Sequence, residues 1–241
     1  MNLDIITCID WDYRQWAITL FRSLGKEWRN RYIIAVGKGD WYQLSIQLNA
    51  TIIKQELNPN FDKVIWCQNV RMKHLHDLLS SMDHGDYLLS IDADFKQNKP
   101  FNLDALEKEK PNASFWCQRK KGKIRSRYRP MPKYVYWQPE DPRFHINAGW
   151  CLYKNDVHNR KRLSDIAREW TNYTHDVKNW DQLMLFKYFK DFGGTVPFKY
   201  IDEGTKAKWN DNSGGYSDYA TWWHCKAGKK QKEKFWHSGK R

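Results

Sequence analysis

The sequence contains no apolar run approaching the roughly 20 residues that a helix needs to span a bilayer. A membrane-crossing segment is therefore not expected. The opening Met1-Asn2-Leu3-Asp4 lacks the basic-then-apolar order of a secretory leader. The five cysteines, Cys8, Cys67, Cys117, Cys151 and Cys225, are odd in number and widely scattered. None has metal-site spacing, and the pattern argues against a disulfide framework, so reduced thiols in a cytoplasm are expected. The chain also lacks internal repeats and a full phosphate-loop pattern; Gly37-Lys38-Gly39 reads as a turn.

What is present describes one folded domain with an anionic partner. A chain of 241 residues can bury a sizeable core. With 41% hydrophobic residues, including 14 Trp, 13 Tyr and 11 Phe, it is not a disordered chain. A formal net charge of +13 points to nucleic acid, an acidic membrane surface or an acidic substrate.

The stretch that organises the rest is Tyr87-Leu88-Leu89-Ser90-Ile91-Asp92-Ala93-Asp94-Phe95. Its apolar part has the length of a buried strand and follows the breaker His84-Gly85-Asp86. Asp92 and Asp94 are two residues apart, so on an extended chain they project to the same side. Paired carboxylates at a strand end suit a hard divalent cation, which can in turn hold a diphosphate. The bland alternative is two solvated turn residues.

Strand–helix alternation runs through the first half: strands Leu3 to Ile9, Tyr32 to Val36, Thr51 to Lys54 and Tyr87 to Ile91, with helices Arg14 to Trp28, Trp41 to Leu48 and Gln68 to Met82. That order predicts an α/β domain with a mostly parallel sheet flanked by helices. Later expectations are a helix at Leu103 to Glu109, a strand at Asn112 to Gln118 and a strand through Phe144 to Tyr153. Helices at Lys161 to Tyr173 and Trp180 to Phe189, a strand at Val196 to Ile201 and a polar loop at Asn210 to Gly215 complete the reading.

The Asp92-Ala93-Asp94 strand end resembles the metal-binding Asp-x-Asp motif of GT-A fold glycosyltransferases. The resemblance implies one GT-A-type domain, residues 1–98 forming the nucleotide-binding half and 99–241 the acceptor-binding half. It also implies Mn²⁺ or Mg²⁺ as cofactor and a nucleotide sugar, foremost a UDP-sugar, as donor. Cys8, Asp10 and Tyr13 at the end of the first strand resemble donor contacts, although Asp10 and Tyr13 also suit a helix cap and a surface aromatic. Arg71 matches the basic residue that such enzymes carry on the helix before the metal strand. Asn147 and Gly149, in Asn147-Ala148-Gly149, resemble the segment that lets donor and acceptor approach the backbone. Asp181 and Gln182, in Trp180-Asp181-Gln182, resemble the group at the reacting carbon, with Asp181 as general base if the enzyme inverts. Asp181 also suits a plain helix cap. In the tail, His224 resembles the third metal ligand and Lys229 a diphosphate contact, with His237 a rival for the ligand.

One basic stretch stands apart. Arg119 to Lys133, RKKGKIRSRYRPMPK, holds eight basic residues and no acid. Gly122, Pro130 and Pro132 argue against a long regular element. Arg119, Lys120, Lys121, Lys123, Arg125, Arg127 and Arg129 are the expected nucleic-acid contacts, with Tyr128, Tyr134, Tyr136 and Trp137 available for stacking. A membrane-binding helix would need an apolar face that this run lacks. The expected acceptor is a hydroxymethylated pyrimidine in DNA, as with bacteriophage DNA-modifying enzymes, which places the protein in a host cytoplasm. The alternatives are transfer to a surface glycan or lipid-linked acceptor, a metal-dependent nuclease, and a basic binding module without chemistry. A nuclease requires further acids around Asp92, which the sequence does not supply, and a bare binding module has no use for a buried carboxylate pair.

Overall fold

The computed structural model describes residues 1–119, 146–171, 180–189, 198–201, 208–211 and 220–225. Strands β1 (Leu3–Asp10), β2 (Trp28–Val36), β3 (Thr51–Gln55) and β4 (Tyr87–Ile91) lie parallel in the order β3-β2-β1-β4. The crossovers are α1 (Arg14–Ser23), α2 (Trp41–Leu48) and α3 (Lys63–Ser81). The sheet continues beyond β4 through β7 (Ile146–Lys154), β6 (Phe115–Arg119) and β8 (Phe198–Tyr200). β7 is antiparallel to both β4 and β6, whereas β8 is parallel to β6. The expected single α/β domain with a mixed, mostly parallel sheet is therefore observed.

Both faces of the central strands are covered, so β1 and β4 are buried along nearly their whole length. Neighbouring residues on a strand feed opposite layers. Ile5 and Leu89 pack with Leu20, Phe21 and Leu44 of α1 and α2, while Ile6 and Leu88 pack with Val70, Leu75 and Leu79 of α3. The α3 side is completed by α5 (Val157–Thr171) and α6 (Trp180–Phe189), the other side by α4 (Leu103–Glu109). No helix among the described residues is long and apolar enough to cross a membrane.

Three departures from the sequence expectations matter for the site. α1 stops at Ser23, because Leu24 turns extended and Trp28 opens β2 instead of closing the helix. The Trp28 indole donates to the Gln97 side-chain oxygen at 2.9 Å, a tertiary bond that no local pattern announces. α3 begins at Lys63, five residues before the expected Gln68, because the Asp62 carboxylate caps it by accepting from the amides of Val64 and Ile65. Finally, a second sheet of three short strands, β5 (Phe95–Gln97), β10 (Trp222–His224) and β9 (Asn210–Asp211), packs against the α1 side. Asn210 and Asp211, expected in a loop, pair in parallel with β10.

Leu89 is fully buried at the centre of β4. Leu89→Ala is expected to cost about 2–5 kcal/mol through lost transfer energy and the cavity left behind. Urea unfolding followed by circular dichroism checks this.

Candidate active site

The site forms where β4 ends. The Asp92 amide donates to the Gly149 carbonyl at 2.9 Å, and the Phe95 amide donates back to the Asp92 carbonyl at 3.3 Å. Asp92-Ala93-Asp94 is thus a tight turn between the large sheet and the small one. β7 carries a register shift exactly opposite: Cys117 pairs with Cys151, but the next residue, Gln118, pairs with Asn147. Such a bulge re-aims the strand beside it. Gly149 sits in the bulge, and a Cβ there would come within 2.7 Å of Asp92 Oδ2. Glycine is required for the close approach of the carboxylate to the strand. The Asn147 side-chain oxygen accepts from the Gly149 amide at 3.0 Å and holds the bulge.

Asp94 is fixed from the small sheet. Its carbonyl accepts from the Cys225 amide at 2.9 Å. β10 pairs His224 with Phe95, and the imidazole stacks on the Phe95 ring with centroids 4.2 Å apart and 12° between planes. His224 Nε2 lies 3.3 Å from Asp94 Oδ1. One ligand atom each from Asp92, Asp94 and His224 falls within 4.8 Å of the others.

The donor set fits a divalent cation. Asp94 Oδ1 is buried and accepts no hydrogen bond, an arrangement that is costly for a carboxylate unless a cation faces it. Two carboxylates and an imidazole are ligands that Mn²⁺ accepts, and the carboxylates suit Mg²⁺.

Behind this group lies Arg71 of α3, itself buried. Nη1 donates to Asp92 Oδ1 at 2.7 Å and Nη2 to Asp181 Oδ2 at 2.8 Å. Burial opposes the Arg71 charge, but Asp92 and Asp181 outweigh it and hold the guanidinium above its usual range. Burial pushes the Asp181 carboxyl up, and Arg71 pulls it partly back. Asp181 is only 2% exposed, and its other oxygen accepts from the Gln182 amide at 2.8 Å.

A cavity of about 200 Å³ opens in front, at the carboxyl ends of β1 and β4. This is where open α/β sheets bind ligands. Cys8, Asp10, Tyr13, Arg71, Asp92 and Asp94 all line it. Asp10 also caps the 3₁₀ turn Trp11–Tyr13, accepting from the amides of Asp12 and Tyr13, as its helix-cap reading expects. Asn147 and Gly149 stand beside Asp92 without lining the cavity. Asp181 stands behind Arg71 instead of on the cavity wall, and Gln182 is half-buried beside it. Arg119 ends β6. Lys120, Lys121, Lys123, Arg125, Arg127, Arg129, Lys229 and His237 lie outside the described residues.

The sequence reading missed Lys63, Cys67 and Gln68. Cys67 and Gln68 line the cavity, and Lys63 pairs with Asp10 at 3.2 Å and Asp12 at 2.6 Å. Positions 63, 67 and 71 follow helical spacing, so extending α3 back to its Asp62 cap would have put them on the Arg71 face.

No protein-family model matches the chain, and no curated protein matches it by sequence. Solved structures do match. The galactosyltransferase LgtC, in complex with donor and acceptor sugar analogues, aligns with a TM-score of 0.55 at 12% identity over 98% of this chain and 95% of its own. The bifunctional glycosyltransferase WbbM gives 0.59 at 13% identity over 94% of this chain. The glycosyltransferase GlyE of Streptococcus pneumoniae TIGR4 gives 0.50 at 14% identity over 84%. The chain spans less than half the length of WbbM and GlyE, 46% and 45% respectively. The fold is of the GT-A type.

Gly149→Ala is expected to displace the Asp92 carboxylate. The melting-temperature increase produced by added Mn²⁺ should shrink or vanish, while the metal-free melting temperature changes far less. Differential scanning fluorimetry with and without Mn²⁺ measures both.

Proposed function

We propose that the protein is a metal-dependent glycosyltransferase that moves a sugar from a nucleoside-diphosphate donor, foremost a UDP-sugar, to a hydroxyl acceptor. The observation that carries this reading is the Asp92–Asp94–His224 group beside a cavity at the strand ends of a GT-A-type sheet. Asp92, Asp94 and His224 would hold Mn²⁺ or Mg²⁺. Bound there, the cation supplies positive charge against the leaving diphosphate. Cys8, Asp10 and Tyr13 border the nucleotide, and Lys229 is the proposed phosphate contact from the tail. On this reading residues 1–98 serve the donor and 99–241 chiefly the acceptor.

The role proposed for Asp181 changes with its position. A base must reach the proton it removes. The Asp181 carboxylate is instead buried and bound to Arg71. We assign it as a positioning residue: it fixes Arg71, which fixes Asp92. Gln182, in the first turn of α6, remains the proposed contact for the donor sugar.

The acceptor proposal rests on charge. The net +13 and the acid-free Arg119 to Lys133 run suit a polyanion, and duplex DNA carrying a hydroxylated base is the acceptor proposed. A glycan acceptor is the alternative outcome of the test below; LgtC is described with an acceptor sugar analogue.

Donor hydrolysis with and without Mn²⁺ tests the core of the proposal. The native chain should require the metal, and Asp94→Ala should lose metal-dependent turnover while staying folded. In the same assay Asp181→Asn should raise the Mn²⁺ concentration required more than it lowers kcat. A kcat loss on the order of 10²–10⁴ with unchanged metal affinity would return Asp181 to the role of base. Unchanged turnover and Mn²⁺ dependence in Asp94→Ala would sink the glycosyltransferase reading.

Replacing Arg125, Arg127 and Arg129 together by Ala should weaken binding to duplex DNA and flatten its salt dependence, with donor hydrolysis spared. Filter binding at several salt concentrations reads this out. Salt-independent or absent DNA binding, with sugar transferred to a glycan, would select the glycan acceptor.

A further inference from the structure

Two cysteines far apart in sequence meet in the wall of the cavity. Cys8 lies near the carboxyl end of β1 and Cys67 in the second turn of α3. Both are half-buried, both line the cavity, and their side chains interact with each other. The other cysteines, Cys117, Cys151 and Cys225, are buried. Nothing in sugar transfer requires a thiol pair at this place. Two neighbouring thiols in one cavity wall are candidates for a disulfide once an oxidant reaches them.

We propose that Cys8 and Cys67 form a paired-thiol modification site, oxidised by a peroxide to a disulfide that ties β1 to α3 across the cavity wall. The step balances. The Cys67 sulfur attacks one peroxide oxygen, the O–O bond breaks, and the displaced hydroxide leaves as water with the thiol proton, giving a sulfenic acid. The Cys8 sulfur then attacks the Cys67 sulfur; the S–O bond breaks, the S–S bond forms, and the hydroxyl leaves as water with the second thiol proton. The order of roles follows from burial, which pushes the Cys8 thiol up and leaves it the poorer first nucleophile.

The bond would narrow the cavity one helical turn from Arg71 and two residues from Asp10. Its effect on the donor rests on the glycosyltransferase reading; its formation does not.

The test is made on the full chain, reduced and then exposed to hydrogen peroxide. Peptides bearing Cys8 and Cys67 should appear joined and two hydrogens lighter in non-reducing mass spectrometry, and dithiothreitol should separate them. Cys67→Ala, whose own untreated activity is its reference, should give no cross-link and should keep its affinity for UDP after peroxide. In the native chain that affinity should fall about tenfold or more on oxidation and return on reduction. Peroxide treatment that leaves both thiols free, or carries either only to sulfinic acid, would overturn the proposal. Cross-linking in a chain that binds no UDP even when reduced would count against the glycosyltransferase reading and leave the thiol site standing.

Discussion

The guanidinium of Arg71 is the contact on which the site depends. It is buried, and both of its charged partners are carboxylates from elements remote in sequence: Asp92 at the end of β4 and Asp181 at the start of α6. A buried ion pair is a modest net stabiliser, but removing one partner strands the others at a cost of roughly 3–5 kcal/mol. Arg71 therefore fixes the distance between α3, the Asp92–Asp94 turn and α6. It engages one oxygen of Asp92 and leaves the other, Oδ2, against the open space above Gly149.

A second constraint is the meeting of two sheets over two residues. Asp92 belongs to the large sheet through its bond to Gly149, and Asp94 to the small sheet through its bond from Cys225. Only Ala93 separates them. The bulge in β7 makes space on one side, while the pairing of β5 with β10 brings His224 in on the other. The Phe95 ring supports the imidazole face, so its direction is set by core packing and not by the loop around it.

Much of this fold is legible in the sequence where local signals agree. α2, β4 and α4 have the expected boundaries, because each is an apolar segment closed by a clear breaker or cap: Asp40 before α2, His84-Gly85-Asp86 before β4, Asn102 before α4. Failures occur where tertiary contacts decide. Helical spacing continues past Ser23, but Trp28 is drawn into β2 by sheet pairing and by its bond to Gln97. β5, β9 and β10 are two or three residues each, too short to carry a period; β10 pairs with β5 across more than a hundred residues and with β9 much closer in the chain. In the site, the resemblance pointed to Asp92, Asp94, His224 and Arg71, which the structure brings together. It did not show that Asp181 faces Arg71, since that contact spans 110 residues. Cys67 escaped notice because a lone cysteine in a helix has no signature until its neighbour in space is known.

Charge balance links these observations to how a donor would enter. Asp92 and Asp181 bind one guanidinium and Asp94 adjoins Asp92, so these three carboxylates and one guanidinium carry a formal excess of two negative charges. Lys63 beside the cavity is engaged by Asp10 and Asp12. A diphosphate approaching this cluster alone meets repulsion, which in a partly desolvated cavity is large. A divalent cation cancels the excess and adds attraction for the anion. By linkage, whatever factor the cation adds to diphosphate affinity, the diphosphate returns to cation affinity. On the proposed reading, Asp92, Asp94 and His224 would hold a cation more tightly with a diphosphate present than without it. If the proposed function holds, metal and donor would bind jointly, and the Asp92 carboxylate, already held by Arg71, would be the point through which each reports on the other.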